Sequence, residues 1–194
     1  MRRLCVFCGS KCGDRPVYAE VTRRLGTAIV RRGLGLVYGA GHVGLMGVLA
    51  DAVLQAGGEV IGVIPQALVD KELAHSGLTE MRVVASMHER KAVMADLSDA
   101  FLGLPGAYGT ADEFFEILTW AQLGMHAKPI GLLNVEGFFE PLLTWLDHTV
   151  REGFLRQRHR QLMMVGGDPE NLLDGLLAAH PGPVEPKWID DKDR

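Results

Sequence analysis

The sequence predicts one α/β domain, a doubly wound parallel sheet with helices on both faces. Three observations predict it. Short runs rich in Val, Ile and Leu alternate along the chain with longer segments of helical period. These runs are apolar on both faces, as in strands that are covered on two sides. The length of 194 residues, with 47% hydrophobic and 23% charged residues, fits a single folded domain with a substantial core.

Each element follows from the local pattern. The predicted strands are short apolar runs that span residues 3–8, 34–38, 59–64, 80–85, 99–104, 129–134 and 162–165. The predicted helices are amphipathic and span residues 16–32, 45–57, 87–97, 112–125, 138–152 and 169–179. Residues 65–79 form a long connection with no predicted helix, and such a segment is usually functional or mobile. The domain is expected to cover residues 1–180, followed by a flexible, proline-rich and then charged tail at 181–194.

Composition excludes several classes of protein. A net charge of −4 and a pI near 6.0 leave no basic surplus for a nucleic-acid backbone, so no nucleic-acid partner is expected. No apolar run reaches the roughly 18 residues of a membrane-spanning helix. The N-terminal apolar stretch is too short for a signal peptide, so we expect a cytoplasmic protein without membrane contact.

The three cysteines, Cys5, Cys8 and Cys12, are expected to be buried and inert, because their odd number makes no disulfide framework.

Three glycine-rich turns each follow a predicted strand and open a helix. They lie at residues 8–13, 39–47 and 105–110. Residues without a Cβ let the backbone approach a ligand, and free N–H groups at a helix start favour a phosphate. Because ligands of such sheets bind at the carboxyl ends of the strands, the turns predict a phosphate or nucleotide pocket. The first two turns supply the candidate binding residues Gly9, Ser10, Gly39, Gly41 and Gly44.

Several enzyme classes fit the chain poorly. The second turn contains a literal Gly-x-Gly-x-x-Gly, but this motif follows the second strand, and the next strand ends with no acid placed to hold a ribose. A nicotinamide or flavin dehydrogenase is therefore disfavoured. No His-Glu-x-x-His pattern or carboxylate cluster indicates a metal, and no Gly-x-Ser-x-Gly elbow indicates a serine hydrolase. No metal or cofactor is expected.

The predicted helix at 87–97 begins with a cluster of charged residues. Ser86 and Glu89 have the spacing of a capping box, in which the glutamate stabilises the helix start. Arg90 and Lys91 follow, and adjacent helical residues point about 100° apart. At most one of the two cations is therefore expected to lie over a ligand. Arginine suits a phosphate or a developing anion better than lysine does.

Thr110 and Glu113 repeat the capping-box spacing directly after the third glycine turn. Two interpretations of Glu113 stay open from spacing alone. The carboxylate caps the helix, or it acts on a substrate by orienting water or by stabilising positive charge on a sugar.

The residues from Pro105 to Glu113, PGAYGTADE, resemble the PGGxGTxxE signature of the Lonely Guy (LOG) family, cytokinin-activating phosphoribohydrolases often mislabelled lysine decarboxylases. Residues 87–91, MHERK, resemble the second motif of that family. The agreement covers about residues 4–165 and extends through residues 8–10, 39–47, 119–124 and 128–134.

The resemblance implies a Rossmann-like homodimer that hydrolyses the N-glycosidic bond of a nucleoside 5′-monophosphate to the free base and ribose 5-phosphate. Arg90 and Glu113 would be the catalytic pair. The substrate would be bound by Glu72, Lys91, Thr119, Gly106, Ala107, Tyr108, Gly109, Thr110, Ala111 and Asp112. With the phosphate as the anchor, unphosphorylated nucleosides should be poor substrates.

Two positions depart from the pattern of the LOG family. Ala107 replaces the second glycine of the signature, which is harmless only if its φ is negative. Lys11 stands where many relatives carry a small residue. The alternative function is a non-catalytic nucleotide or cofactor carrier, similar to the molybdenum-cofactor carrier proteins, which would not need Arg90 and Glu113 together. A pyridoxal-dependent decarboxylase is disfavoured, because Lys91 has no matching cofactor motif.

Overall fold

A computed structural model describes residues 1–69, 71 and 74–179. Within that part of the chain, seven strands form one parallel sheet in the order β4-β3-β2-β1-β5-β6-β7. The strands are β1 (Arg3–Phe7), β2 (Gly35–Tyr38), β3 (Val60–Pro65), β4 (Glu80–Val84), β5 (Ala100–Gly103), β6 (Ile130–Leu133) and β7 (Met163–Gly166). The predicted doubly wound α/β fold is confirmed.

Helices connect consecutive strands and cover both faces of the sheet. They are α1 (Pro16–Arg31), α2 (Gly44–Gln55), α3 (Gln66–Val69), α4 (Met87–Asp96), α5 (Tyr108–Gln122), α6 (Glu140–Arg151), α7 (Gln157–Arg160) and α8 (Pro169–Ala178). A 3₁₀ helix, Val135–Gly137, follows β6. The predicted helix at 112–125 begins four residues earlier than expected, at Tyr108, and the sequence did not predict α3, α7 or the 3₁₀ helix.

The hydrophobic core has two layers, one on each face of the sheet. Residues of α1, α2 and α8 pack on one face, and residues of α4, α5 and α6 pack on the other. Alternate residues of β1 serve the two layers: Leu4 and Val6 face the first, and Cys5 and Phe7 face the second. Burial on both faces holds for the inner strands but not for β4, an edge strand with four of its five residues exposed. The prediction that every strand is covered twice was wrong there and at the other edge strand, β7, where Met164 and Val165 are exposed.

The long connection after β3 contacts the second glycine turn. Its start forms the short helix α3, and further along Ala74 forms an isolated antiparallel bridge with Gly41. The backbone N–H of His75 donates to the Ala40 carbonyl at 2.8 Å. This connection therefore lies against the edge of the sheet where the turns meet.

All three cysteines are free thiols. Cys5 and Cys8 are buried, as predicted, and they belong to opposite core layers. The expectation of burial was wrong for Cys12, which is exposed because it lies in the turn beyond the end of β1. In the described residues, no helix has the length and apolar character needed to cross a bilayer. The predicted tail at 181–194 lies outside the described residues, so the domain boundary stays a prediction, as does the cytoplasmic location.

Candidate active site

A cavity of about 720 Å³ lies at the carboxyl ends of the strands. The turns that follow β1, β2 and β5 all contribute to its wall, so the three glycine turns meet as predicted. The predicted binding residues that line the cavity are Gly9, Ser10, Gly39, Gly41, Gly106, Ala107, Gly109 and Thr110. Three charged side chains also line it: Lys11, Arg90 and Glu113.

Arg90 and Glu113 form a buried ion pair in this cavity. Arg90 Nη1 donates to Glu113 Oε1 at 2.7 Å, and the two side chains are only 8% and 9% exposed. Arg90 Nε donates at 3.0 Å to the Val63 carbonyl near the end of β3. Two hydrogen bonds therefore fix the guanidinium, and the carboxylate is held at one end of it.

The start of α4 determines where Arg90 lies. The Ser86 side chain accepts from the Glu89 N–H at 3.1 Å, and the Glu89 carboxylate accepts from the Ala85 N–H at 2.7 Å. The predicted helix start with Ser86 as its cap is thus confirmed. Gly39 packs directly against the Arg90 guanidinium, and a Cβ at Gly39 would overlap Arg90 Nη2. The second glycine turn therefore needs a glycine at this position to make room for the arginine.

Glu113 does not cap a helix. The helix α5 begins at Tyr108 with Ala107 as its N-cap residue, and it has no side-chain cap. Glu113 therefore lies in the second turn, where its carboxylate points to Arg90 instead. The capping interpretation of Thr110 and Glu113 was wrong, because the helix starts earlier than the spacing indicated. Ala107 has φ −118°, so alanine fits in place of the signature glycine without strain.

Burial and the neighbouring Arg90 have opposite effects on the ionisation of Glu113. Burial raises the pKa of the Glu113 carboxyl above its ordinary value, and the neighbouring Arg90 opposes that rise. Burial also raises the pKa of the Cys8 thiol in the cavity wall, so this thiol stays protonated at neutral pH and is a poor nucleophile.

The glycine turns also contact one another. The Gly9 N–H donates to the Pro105 carbonyl at 3.0 Å, and the Gly9 carbonyl accepts from the Leu45 N–H at 3.0 Å. Gly44 has φ +64° and packs against the backbone of Ser10 and Lys11, which leaves no room for a side chain. Gly44 therefore packs against the backbone of the first turn and is not part of the cavity lining.

Other predicted binding residues lie outside the cavity. Lys91 Nζ pairs with Asp112 Oδ2 at 3.0 Å and with Glu116 Oε2 at 3.2 Å. A separate shallow depression of about 470 Å³ is lined by Ala111, Asp112, Phe115, Glu116, Thr119 and Trp120. Tyr108 is 95% exposed. Only Arg90 of the two adjacent cations faces the cavity, as predicted, and Glu72 lies outside the described residues.

The sequence did not point to several apolar residues of the cavity. Tyr18, in the first turns of α1, and Phe138, after β6, meet edge to face at 5.7 Å. Met46, Ile64 and Leu68 line another part of the wall. Ile64 lies at the end of β3 and the others lie in the segments that follow strands, so position relative to the strand ends is their only signal. Among the described residues, no group of three His, Cys, Asp or Glu side chains is placed to hold a metal ion.

Comparison with known proteins identifies the family. A family described as "Possible lysine decarboxylase" matches residues 46–176. The chain is 51% identical over 175 residues to the probable cytokinin riboside 5′-monophosphate phosphoribohydrolase LOGL9 of Oryza sativa subsp. japonica, covering 90% of this chain and 77% of that protein. It is 47% identical over 175 residues to the cytokinin riboside 5′-monophosphate phosphoribohydrolase LOG1 of Arabidopsis thaliana, covering 90% and 82%.

Solved structures share the fold at lower identity. The molybdenum cofactor carrier protein of Chlamydomonas reinhardtii superimposes with a TM-score of 0.69 at 22% identity, covering 92% of this chain and 99% of that one. The molybdenum cofactor binding protein of Rippkaea orientalis gives the same TM-score at 17% identity, covering 92% and 97%. These matches show a common architecture alone. The extensive identity to the plant proteins, together with the paired motifs around Arg90 and Glu113, shows that the chain belongs to the Lonely Guy (LOG) family.

Proposed function

We propose that the protein hydrolyses the N-glycosidic bond of nucleoside 5′-monophosphates, cytokinin riboside 5′-monophosphates among them, to the free base and ribose 5-phosphate. The buried pair of Arg90 and Glu113, inside a cavity ringed by glycine turns, is the observation that carries the proposal. The phosphoribohydrolase activity for which relatives at 47–51% identity are named supports the same reaction.

The start of α5 supplies a place for the phosphate. Ala111 makes the first bond of the helix, from its N–H to the Ala107 carbonyl at 3.0 Å. The N–H groups that precede Ala111 therefore have no acceptor within the helix. Gly109 and Thr110 carry two of them and line the cavity. A phosphate bound there would be favoured by these donors and by the helix dipole, and it would hold the sugar in place.

Glu113 acts on the sugar in this mechanism. Departure of the base leaves positive charge on the ribose ring, and an ionised carboxylate beside the ring stabilises that charge. The same carboxylate can orient the water that attacks the anomeric carbon. In the free protein Arg90 holds Glu113 in a fixed position, so little reorganisation is needed when the substrate binds.

Base release tests the proposal directly. Purified protein is incubated with AMP, N6-isopentenyl-AMP, IMP, GMP and adenosine, and the free base is measured by chromatography. We expect base to be released from at least one monophosphate, with adenosine at least 100-fold slower because it lacks the anchoring phosphate. Tight binding of a nucleotide without release of base would instead support the carrier hypothesis. Equal hydrolysis of AMP and adenosine would refute the phosphate anchor.

We further propose that the protein is a homodimer that uses the face formed by α5 and α6. Phe115 and Trp145 meet edge to face at 6.2 Å on this face, and Phe154 beside them is 83% exposed. Through Phe115 the aromatic face adjoins the depression that contains Thr119. A second subunit on this face would lie beside Lys91, Asp112 and Thr119. The dimer would then bring these residues, which lie outside the cavity of their own subunit, to the predicted role in binding substrate.

Light scattering tests the dimer. Trp145→Glu places a charge in the proposed interface and should convert a dimer of about twice the chain mass to a monomer. Leu177→Glu is the control, because Leu177 is an exposed apolar residue on α8 at the opposite face of the sheet. A monomeric wild-type protein at micromolar concentration, or equal effects of the two variants, would contradict the proposed interface.

A further inference from the structure

Lys11 is the only charged residue of the described cavity wall that has no opposite charge beside it. The cavity contains three charged side chains, and two of them, Arg90 and Glu113, pair with each other. Lys11 makes no ion pair with any acidic side chain in residues 1–69, 71 and 74–179. The described lining therefore has a net charge of +1, which comes from the Lys11 ammonium group.

The backbone of Lys11 is held close to the start of α5. A Cβ built on Gly9 would lie 3.0 Å from the Lys11 carbonyl oxygen and 3.3 Å from the Cα of Gly106. Gly44 of the second glycine turn packs against the backbone nitrogen of Lys11. The backbone of Lys11 is thus held by the glycine turns near the start of α5. Its side chain of four methylene groups is flexible and can reach a ligand.

A phosphomonoester brings a charge between −1.5 and −2 into the cavity at neutral pH. The pair of Arg90 and Glu113 contributes no net positive charge to balance it, because the two charges cancel. The helix N–H groups contribute only partial charge. A cation near the start of α5 would balance the remaining charge, and Lys11 is the cation of the described cavity lining that is not already paired.

We propose that Lys11 binds the 5′-phosphate of the substrate and so makes the protein selective for phosphorylated nucleosides. This inference rests on the proposed function, since it assigns a residue to the phosphate of that substrate. Lys11 acts on binding and not on the bond that breaks. Its loss should weaken the affinity for monophosphates and leave the affinity for unphosphorylated nucleosides unchanged.

Calorimetry with full-length protein tests the inference without any turnover. AMP and adenosine are titrated into the Glu113→Gln protein, and then into the same protein carrying Lys11→Met, Lys11→Arg or Arg23→Met. Lys11→Met should raise the Kd for AMP about tenfold, the loss expected for one charge-assisted contact. It should leave the Kd for adenosine unchanged, and Lys11→Arg should restore most of the affinity. Arg23→Met is the control for net charge, because Arg23 is an exposed residue of α1 outside the cavity wall.

Two results would overturn the inference. One is an AMP affinity that Lys11→Met does not change. The other is an equal loss of affinity for AMP and adenosine, which would mean that Lys11 supports the turn or the base and not the phosphate. Failure of the proposed function gives a different outcome: wild-type protein would release no base from any monophosphate, while AMP binding would still depend on Lys11.

Discussion

Arg90 and Glu113, 23 residues apart in the chain, meet through a single 2.7 Å hydrogen bond on different helices. Arg90 comes from the first turn of α4 and Glu113 from the second turn of α5. Both are nearly sealed from solvent, although they are charged groups that normally lie at a surface. Such a pair is costly to bury, so its position in the cavity at the carboxyl ends of the strands supports a role in chemistry.

Glu113→Gln should separate catalysis from structure. The amide oxygen of glutamine can still accept the hydrogen bond from Arg90, but it cannot stabilise a cationic sugar as a carboxylate does. We expect turnover of AMP to fall by about 10³-fold or more. The free energy of unfolding should fall by about 1–3 kcal/mol, less than for Arg90→Met, because the hydrogen bond is kept while the buried Arg90 loses its counter-charge.

Urea unfolding and single-turnover assays on the same samples provide the check for Glu113→Gln. Retained turnover would assign Glu113 to structure. A protein that fails to fold would show that the charged pair is needed for stability.

The pH dependence follows from the raised pKa of Glu113. The carboxylate must be ionised to stabilise the sugar, so kcat/KM should fall as the pH drops through the folded-state pKa, which lies above the ordinary value of 4.5. The contribution of Glu113 to the free energy of unfolding should have the opposite pH dependence. The unfolded chain ionises at the lower, ordinary pKa, so the contribution of Glu113 to stability is present below pH 4.5 and is lost as the pH rises through the folded-state pKa.

Thermal unfolding of wild type and Glu113→Gln across pH 4 to 8 measures this opposition. The difference in Tm should move in favour of the glutamine variant as the pH rises. A difference that is constant over this range would contradict the raised pKa.

Arg90→Met should destabilise the protein, because it leaves Glu113 buried with no partner. The loss in the free energy of unfolding should be about 2–4 kcal/mol at neutral pH. The fall of kcat/KM on the acid side of the pH profile should occur at a higher pH, because Arg90 no longer lowers the pKa of Glu113. The double variant Arg90→Met with Glu113→Gln should recover part of that stability and none of the activity. Denaturant unfolding of the four proteins closes the cycle. Additive effects would show that the two side chains are not coupled.

Gly39→Ala should impair the site far more than the fold. The added methyl group would meet Arg90 Nη2. The guanidinium cannot move away without breaking the hydrogen bond from Nη1 to Glu113 or the one from Nε to the Val63 carbonyl. We expect kcat/KM to fall about 100-fold or more with a stability loss of about 1–3 kcal/mol.

Gly175→Ala is the matched control for Gly39→Ala. Gly175 lies in α8, and its nearest neighbour to a new Cβ is the Met164 sulfur at 3.5 Å, an ordinary contact. Alanine there should add about 0.5–1 kcal/mol of stability through helix propensity, with unchanged kinetics. Similar kinetic losses in the two glycine variants would contradict the close approach at Arg90.

The core strands and long helices could be predicted because hydrophobic period reports burial directly. The start of α5 could not, since the glycines of residues 105–110 are typical of a turn, whereas Gly109 lies in the first helical turn. Short elements such as α7 (Gln157–Arg160) are too brief to show a period. The edge strand β4 also differs from the rule for inner strands, because position in the sheet is a tertiary property.

The site was only partly predictable for a related reason. Motifs marked Arg90 and Glu113, but their contact depends on how α4 and α5 pack, which no spacing shows. The division of Arg90 and Lys91 between the cavity and the Asp112 side of α5 follows from helix geometry once α4 is in place. The walls formed by Tyr18 and Phe138 come from elements more than 100 residues apart.

The central place of β1 affects how the chain is made. Its two neighbours in the sheet are β2, which follows closely, and β5, which the ribosome delivers only after residue 99. Until then one side of β1 presents bare peptide groups that another nascent chain could pair with. Premature termination of translation before β5 would leave a fragment with an unpaired strand edge and without Glu113. Such a fragment should aggregate and should have no activity.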